Sequence, residues 1–413
     1  MSALHRFDAL IVGGGPAGST AALLLARAGW RVAVVEKSAF PRQKVCGEFI
    51  SATTWPLLRA LGVGDTLKAH AGPAVRRVGL FAGSDQFIEP IAPRSTSGDD
   101  GREVLREHLD TVLLERARQA GVSVWQPWLL AGLAAHPDGY WCRITERRTG
   151  RSQALQASVL IAAHGSWESG LLPTQRHRRP PHASDLLAFK TRFRGSSLPD
   201  DLMPLIAFPG GYGGMVNTGD GAVSVSCCIR RDRLGACRAH YPHLKAGAAV
   251  LAHISEACEG VVATLANAIP EGAWLAAGPI RTGIHDFGRE GTFNVGNAAA
   301  EAHPIVAEGI SMAIQSAMLL SEQLIARGRS ALKSESLGSV RRDYGSTWRL
   351  NFSRRLRVAA LAAHVFMRPA TTRAATALVR QFPSLLQLGV RWSGKSEPLR
   401  GDRSFDVFRP TAR

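Results

Sequence analysis

A glycine-rich loop near the N-terminus carries the first residues whose spacing suggests chemistry. Gly13, Gly15 and Gly18 follow the pattern G-x-G-x-x-G directly after the apolar run FDALIV at residues 7–12. In such a loop the first glycine allows a tight turn, the second lets a pyrophosphate approach the backbone, and the third lets helix and strand pack closely. The helix that follows points its free N–H groups at the phosphates. The sequence therefore predicts a dinucleotide contact by Gly13, Gly14, Gly15, Pro16, Ala17 and Gly18.

A carboxylate at the end of the next apolar run supports this prediction. The run RVAVVEK ends in Glu36 and Lys37, and Glu36 lies 18 positions after Gly18. This is close to the spacing of the acid that binds the ribose diol of a dinucleotide. The pattern alone does not distinguish NAD from FAD. The form GGGPAG, its N-terminal position and the Glu-Lys ending resemble those of FAD enzymes, which implies FAD as the cofactor.

The segment FPRQKVCGEFIS at residues 40–51 gives a second resemblance. It is similar to the segment beside the flavin ring in the geranylgeranyl-reductase and flavin-halogenase branch of the para-hydroxybenzoate-hydroxylase superfamily. That resemblance implies that Arg42, Cys46 and Gly47 border the cofactor, with Gly47 allowing close backbone approach. The alternative for Cys46 is a small buried apolar residue without a cofactor contact.

A second arginine stands at the start of a predicted helix. The stretch from residue 104 to Gly121 has helical periodicity, and Arg106 is followed by Leu109 and Asp110. The superfamily has an arginine in this pattern near the ribityl and pyrophosphate groups, which implies the same place for Arg106. The alternative is an exposed arginine in a first helical turn.

A third segment departs from the superfamily pattern. The pattern there is Ala-Asp-Gly-x-x-Ser, whereas residues 163–169 read AHGSWES, so His164 replaces the aspartate and Gly165 is retained. In the related hydroxylases that aspartate is associated with flavin and nicotinamide handling. The chain also has no second G-x-G-x-x-G. We therefore expect NADPH or NADH only as a transient electron donor, or a partner reductase.

The segment GNAAAEAHPIVAEGI at residues 296–310 resembles the superfamily's third flavin contact. That contact reads Gly-Asp-Ala-Ala, then a proline, then a glycine that begins a helix. The resemblance implies that Asn297, Pro304, Gly309 and Ile310 border the ribityl chain and the ring, with the helix N-terminus directed at the ring. Asn297 replaces the aspartate, and its amide can still accept a hydrogen bond from a ribityl hydroxyl.

Two residues are candidates for catalysis. His303 directly precedes Pro304 and would donate a hydrogen bond to flavin or substrate, and a structural histidine is an equally weighted alternative. Tyr212 lies in PGGYGG at residues 209–214, which resembles the aromatic and glycine-rich segment in the substrate cavity of geranylgeranyl reductases. The tryptophan of that pattern is absent here.

The elements that must position these residues suggest an α/β fold. Residues 170–275 contain short apolar or alternating runs separated by Gly- and Asp-containing turns, which favours an antiparallel sheet, and the run at 76–83 is predicted to join it. We expect a Rossmann-like FAD-binding domain with an inserted antiparallel-sheet substrate domain and C-terminal helices. The predicted divisions are an FAD-binding domain at 1–72, 101–170 and 276–325, a substrate domain at 73–100 and 171–275, and a C-terminal helical region at 326–413.

Composition limits the class of protein. The 413 residues are 45% hydrophobic, and no apolar run is long enough to predict a transmembrane helix. The six cysteines show no CxxC pair, so we expect reduced thiols and no metal site. With no signal peptide expected, the predicted location is cytoplasmic, with a peripheral position at a membrane as an option.

Charge is concentrated in one segment. The chain has a net charge of +17, and residues 341–395 hold eleven Lys and Arg against one acid, Asp343. Two helices with alternating apolar and basic positions are predicted at 351–369 and 371–392. They would pack on the substrate sheet, or contact an anionic membrane surface or an acidic carrier protein. A nucleic-acid partner is disfavoured because the segment has few aromatic residues and no known binding motif.

The resemblance covers residues 7–325 and implies an FAD-dependent oxidoreductase, either a monooxygenase or a dehydrogenase or reductase. The expected substrate is a hydrophobic small molecule of polyketide, polyene or isoprenoid type. Halogenation is not expected, because halogenases of the superfamily carry Trp-x-Trp-x-Ile-Pro and this chain does not. A non-enzymatic flavoprotein, with FAD in a structural or sensing role, is the alternative that His164 and Asn297 favour.

Overall fold

The computed structural model describes residues 5–91, 98–165, 169–172, 175, 180–289, 291–328, 332 and 334–387. In chain order its strands are β1 His5–Val12, β2 Val32–Val35, β3 Phe49–Ile50, β4 Arg77–Ala82, β5 Asp85–Pro90, β6 Arg102–Glu103, β7 Ser123–Trp125, β8 Trp128–His136, β9 Gly139–Glu146, β10 Ser152–Ala162, β11 Leu186–Arg194, β12 Leu202–Phe208, β13 Gly211–Asn217, β14 Ala222–Arg230, β15 Ile269–Ile280, β16 Gly283–Ile284, β17 Thr292–Asn294 and β18 Ala300–Glu301.

The helices alternate with these strands or follow them. They are α1 Pro16–Arg27, α2 Trp55–Ala60, α3 Gly64–Lys68, α4 Arg106–Gln119, α5 Arg231–His240, α6 Ala246–Ala257, α7 Glu259–Leu265, α8 Gly309–Arg327, α9 Ser334–Phe366 and α10 Pro369–Gln381. Short 3-10 turns lie at Ala52–Thr54, Gly296–Ala298 and Pro304–Val306.

The first sheet supports the glycine loop. Its order is β7-β2-β1-β10-β9-β8, with β17 also beside β10. The contacts of β1 with β2 and β10 are parallel, and the apolar runs of β1 and β2 are buried, as expected for strands covered on both faces. Val12 pairs with Val35 at the carboxyl ends of β1 and β2. Gly13 and Glu36, which follow these residues directly, are therefore brought to the same edge.

The second sheet has the order β15-β11-β14-β13-β12-β4-β5. All its neighbours are antiparallel except β12 and β4, so the run predicted at residues 76–83 does join this sheet. One face packs on α5, α6 and α7. The sequence analysis missed these three helices, because they are short and α5, with the sequence RDRLGACRAH, offers little apolar periodicity. β15 continues to Ile280, beyond the expected division at residue 275.

The C-terminal helices differ from the prediction at their first boundary. The helix expected from residue 351 begins at residue 334, because Leu337, Val340, Tyr344 and Trp348 are buried in the core that α1 and α8 share. The Tyr344 hydroxyl donates to Asn294 O at 2.9 Å. The helix is thus anchored on the first domain before it reaches the second sheet. Residues 388–392 of the other predicted helix lie outside the described residues. Within the described residues, no helix combines the length and apolarity that a membrane crossing requires.

Candidate functional site

Two glycines of the N-terminal loop are required by packing. Gly13 has φ +110°, and a Cβ there would lie 2.5 Å from the Ala163 carbonyl oxygen. A Cβ on Gly18 would lie 1.8 Å from the Gly13 carbonyl oxygen. Each distance is far below van der Waals contact, so the tight turn and the close helix–strand packing predicted for these glycines are present.

Gly15 faces space rather than protein backbone. It precedes α1 as its N-cap, with Pro16 in the first turn. A Cβ on Gly15 would meet only the guanidinium ends of Arg42 at 3.6 Å and Arg106 at 3.7 Å. Free helix N–H groups and two guanidinium groups at one position form an anion site.

A buried carboxylate holds the two arginines together. Asp110 is fully buried in α4 and accepts two hydrogen bonds of 2.8 Å from Arg106. Arg42 donates to the same carboxylate from Nε and Nη2, both at 3.2 Å. The Arg106 side chain is only 13% exposed, which excludes the alternative of a solvated arginine. The sequence pattern that singled out Arg106 and Asp110 thus corresponds to an ion pair beside the glycine loop.

Glu36 borders the anion site and an adjoining cavity. Its carboxylate accepts hydrogen bonds from Gly14 N and Ser38 N, both at 2.8 Å, and from Arg42 Nη1 at 2.8 Å. Lys37 and Glu36 line the cavity together with the side chains of Val35, Trp128, Leu130 and His164. A lining of apolar residues, the basic residues Lys37, Arg42 and Lys44 and one carboxylate would suit a nucleoside whose ribose meets Glu36.

The segment after Arg42 leads to the second sheet. A Cβ on Gly47 would meet Ser226 Oγ at 3.7 Å, an ordinary contact, so the backbone of Gly47 is open to a ligand. Cys46 is partly buried, and its Sγ accepts from Glu48 N at 3.4 Å. The buried Glu48 pairs with Lys190 of β11 and accepts from Arg106 N at 2.9 Å. The sequence analysis did not single out Glu48 or Lys190, although a lysine within the apolar run LLAFKTRF was an available signal.

The face of the second sheet opposite α5–α7 presents two adjacent rows of residues. One row consists of Ala188, Cys228 and Tyr212, and the next of Lys190, Ser226 and Gly214, as the strand registers require. Gly47 and Glu48 meet the second row, whereas His303 meets Tyr212 in the first. Residues of the two domains therefore face each other across this part of the sheet.

Tyr212 and His303, the two candidates for catalysis, are in contact. The Tyr212 hydroxyl lies 3.3 Å from His303 Nδ1. Burial lowers the pKa of His303 to about 4, and burial also raises the pKa of Tyr212 well above its ordinary value. At neutral pH the imidazole is therefore uncharged and the phenol keeps its proton. The surroundings of Tyr212 are largely apolar and consist of Val45, Ala188, Cys228, Ile280, Ile305, Ala363 and Met367.

The segment that begins at residue 296 contributes further predicted contacts to the candidate site. Asn297 Nδ2 donates to Glu301 Oε1 at 2.8 Å, which leaves the amide carbonyl as the acceptor predicted for a ribityl hydroxyl. Pro304 begins a 3-10 turn, and Ala307 after it has φ +53°. No described atom lies within 4 Å of a Cβ built on Gly309, the first residue of α8, while Ile310 is buried. A left-handed non-glycine residue beside an open helix N-terminus is typical of a ligand site.

These positions fit FAD. The open backbone at Gly15, Gly47 and Gly309 would leave room for the pyrophosphate of FAD and for its ring. Gly165, with φ +87°, likewise has no described atom within 4 Å of its Cβ position. His164 lines the nucleoside cavity, and residues 166–168 of the same segment lie outside the described residues.

One buried acid of this region escaped the sequence analysis. Glu103 ends β6 and is completely buried. Burial, together with the nearby Glu48 carboxylate, raises the pKa of Glu103 to about 9, and Lys190 offsets part of that rise. Glu103 therefore carries a proton at neutral pH, beside the Glu48–Lys190 pair.

The comparisons with known proteins agree with this arrangement. Residues 6–179 match the family model described as FAD binding domain, a range that contains the glycine loop, Glu36 and Arg106. Over 330 residues the chain is 28% identical to the tryptophan 2-halogenase of Chondromyces crocatus, a match that covers 75% of this chain and 59% of that protein. The chain thus spans less than two thirds of the length of this curated relative.

Solved structures show the same fold. The flavin-dependent brominase Bmp2 superposes with a TM-score of 0.73 at 19% identity, over 98% of this chain and 97% of that one. A geranylgeranyl bacteriochlorophyll reductase-like protein from Thermoplasma acidophilum superposes with a TM-score of 0.69 at 19% identity, over 99% and 97% of the two chains. These similarities confirm the predicted α/β fold class with its Rossmann-like FAD-binding fold.

Replacing Gly15 by valine should lower FAD affinity at least tenfold, about 1.4 kcal/mol, because the branched side chain fills the space between the loop and the two guanidinium groups. The measurement is the FAD content of the purified protein and its Kd for added FAD. Gly235→Val is the matched control, since Gly235 also faces open space but lies on α5. Equal FAD occupancy in Gly15→Val and wild type would contradict the assignment.

Glu103→Gln should remove a pH dependence of stability. The folded carboxyl titrates at about 9 instead of 4.5, so its proton stabilises the fold fully below pH 4.5, and this contribution is lost as the pH rises to about 9. In urea unfolding from about pH 6 to 8, wild type should lose about 1.4 kcal/mol more per pH unit than the variant. The exposed Glu259→Gln is the control. Parallel stability curves for Glu103→Gln and wild type would show that Glu103 is ionised in the fold.

Proposed function

We propose that the chain is an FAD-dependent oxidoreductase of the para-hydroxybenzoate-hydroxylase superfamily, and that it oxidises, reduces or hydroxylates a hydrophobic small molecule. The observation that carries this proposal is the Tyr212–His303 pair within an apolar cluster beside the open backbone of Gly47. Apolar surroundings of this kind would suit a molecule that is mostly hydrocarbon and carries one oxygen function. Polyketide, polyene and isoprenoid compounds have this character.

The chain's residues position the cofactor. When bound, FAD supplies the electron transfer. The glycine loop, Arg42 and Arg106 would hold the pyrophosphate, and Glu36 would orient the ribose. The N-terminus of α8 at Gly309 would stabilise negative charge at the ring's pyrimidine end, since the helix dipole is positive there.

The Tyr212–His303 pair would hold an imidazole proton that can be donated to the substrate. Tyr212 keeps its proton and His303 is neutral; in the tautomer whose ring proton is on Nε2, Nδ1 accepts a hydrogen bond from the phenol. Nε2–H is then a donor for a carbonyl or hydroxyl oxygen of the substrate. With its low pKa, His303 serves better as a neutral hydrogen-bond donor than as a general base at neutral pH.

Halogenation is a second candidate, favoured by the names of the similar proteins, a tryptophan 2-halogenase and a flavin-dependent brominase. The absence of Trp-x-Trp-x-Ile-Pro argues against it. The two candidates differ in one requirement, because only halogenation depends on a halide ion. A non-enzymatic flavoprotein is the remaining alternative and would show neither activity.

The test is a set of redox assays on the FAD-loaded protein. Flavin reduction is followed with NADH, with NADPH and with light, and reoxidation with O2 or with menadione as a hydrophobic quinone probe. We expect menadione to reoxidise the flavin in multiple turnovers, without any requirement for halide. Bromination of indole that requires bromide would favour halogenation. Reoxidation by menadione no faster than that of free FAD would contradict the proposed substrate class.

His303→Ala should slow reoxidation by menadione by about 10-fold to 100-fold per bound flavin, the effect of one lost polar contact in a water-poor site. FAD content and melting temperature should change little. His253→Ala is the control, because His253 lies on the other face of the sheet, where it contacts Pro209 O. A His303→Ala protein that loses FAD or stability but keeps its rate per bound flavin would show that His303 is structural.

A further inference from the structure

The outer face of α9 combines basic and apolar side chains. Leu350, Arg354, Arg357, Leu361 and His364 follow each other at intervals of three or four residues, so they share one side of the helix. All five are exposed, and Leu350 and Leu361 are each 66% exposed. The stripe is about 20 Å long at 1.5 Å per residue.

The next helix also exposes apolar and basic side chains. Leu378, Phe382 and Leu385 are exposed on and after α10, by 52%, 51% and 39%. Arg368 and Arg373, near the start of α10, are exposed as well. We call ten exposed residues on or next to the two helices the arginine–leucine face. They are Leu350, Arg354, Arg357, Leu361, His364, Arg368, Arg373, Leu378, Phe382 and Leu385.

The formal charges within this part of the chain have one sign. Residues 344–387 contain seven arginines and no lysine, aspartate or glutamate. One of the seven, Arg355, is buried and donates to Gln315, while the others are exposed. Arg380 pairs with Asp85 of β5, so its charge is compensated locally. Arginines on the arginine–leucine face therefore add their positive potential along an elongated surface.

The fold does not need this face for its core. Phe352, Ala359 and Ala363, on the opposite side of α9, are fully buried. Ala363 and the following Met367 pack beside Tyr212. One side of this helix end thus closes the apolar cluster around the proposed substrate site, while the other side exposes leucines and arginines.

We propose that the arginine–leucine face docks on an anionic lipid surface. Arginines bind lipid phosphates, and exposed leucine and phenylalanine side chains can enter the boundary between headgroups and acyl chains. A long, one-signed stripe with isolated apolar side chains matches an extended lipid surface. Docking goes beyond the proposed redox function, and it would bring the end of α9, beside Tyr212, close to a source of hydrophobic compounds.

The experiment is co-sedimentation of the FAD-loaded chain with vesicles of phosphatidylglycerol and phosphatidylcholine, or of phosphatidylcholine alone, at low and high salt. Binding should require the anionic lipid and fade with salt, because the attraction decays over about 8 Å at physiological ionic strength. Changing Arg357, Arg368 and Arg373 to glutamine should weaken binding on the order of 100-fold at low salt. Changing Leu350 and Leu361 to serine should also weaken binding.

A matched variant controls for net charge. Arg143, Arg148 and Arg151 are exposed on or beside β9 and β10 of the first domain, and their change to glutamine removes the same charge. This control should bind like wild type. FAD content and redox rate in detergent should be equal in all variants, which separates docking from the proposed function. Any of three results would overturn the proposal. The wild-type chain does not bind anionic vesicles, it binds neutral vesicles equally well, or the two arginine variants lose binding equally. Wild-type binding to an acidic carrier protein without vesicle binding would instead assign the face to that partner.

Discussion

The buried carboxylate of Asp110 is the interaction on which the site depends. A fully buried charge is tolerated only when it is paired and hydrogen-bonded, and Asp110 meets this requirement with Arg42 and Arg106. Arg42 also reaches Glu36, so one network joins α4, the segment after β2 and the glycine loop. The network fixes two positive groups beside Gly15. The anion site therefore exists before a ligand arrives, and its ordering cost is met during folding.

Charged residues also connect the first domain to the second sheet. Arg106 N donates to Glu48, and Glu48 pairs with Lys190 of the second sheet. Glu48 has φ +56°, a strained value for a residue with a side chain, and the pairing with Lys190 helps to hold it there. Burial first, and the neighbouring Glu48 carboxylate second, raise the pKa of Glu103, which explains why Glu103 retains its proton. The ion pairs thus hold the two domains in register around Gly47.

Sequence alone predicted the parts of the site that depend on short-range patterns. The glycine loop, Glu36, Arg106 and the segment at 296–310 each have a characteristic local spacing, and the fold class followed from the order of strands and helices. The Glu48–Lys190 pair and Glu103 were missed because their partners are distant in sequence and their meeting depends on how two sheets face each other. The extension of α9 to residue 334 was missed because its buried side is created by α8.

The same reasoning explains why the two catalytic candidates could be named but not paired. Residues 212 and 303 are far apart in sequence, and neither strand alternation nor the His-Pro motif indicates a contact between them. The register of β13 against β14 places Tyr212 beside Cys228 on the face turned toward the first domain. The 3-10 turn after His303 then carries Ile305 and Ala307 against that face. Tyr212 and His303 therefore meet because the segment from residue 296, the third predicted cofactor contact, also packs on this face of the second sheet.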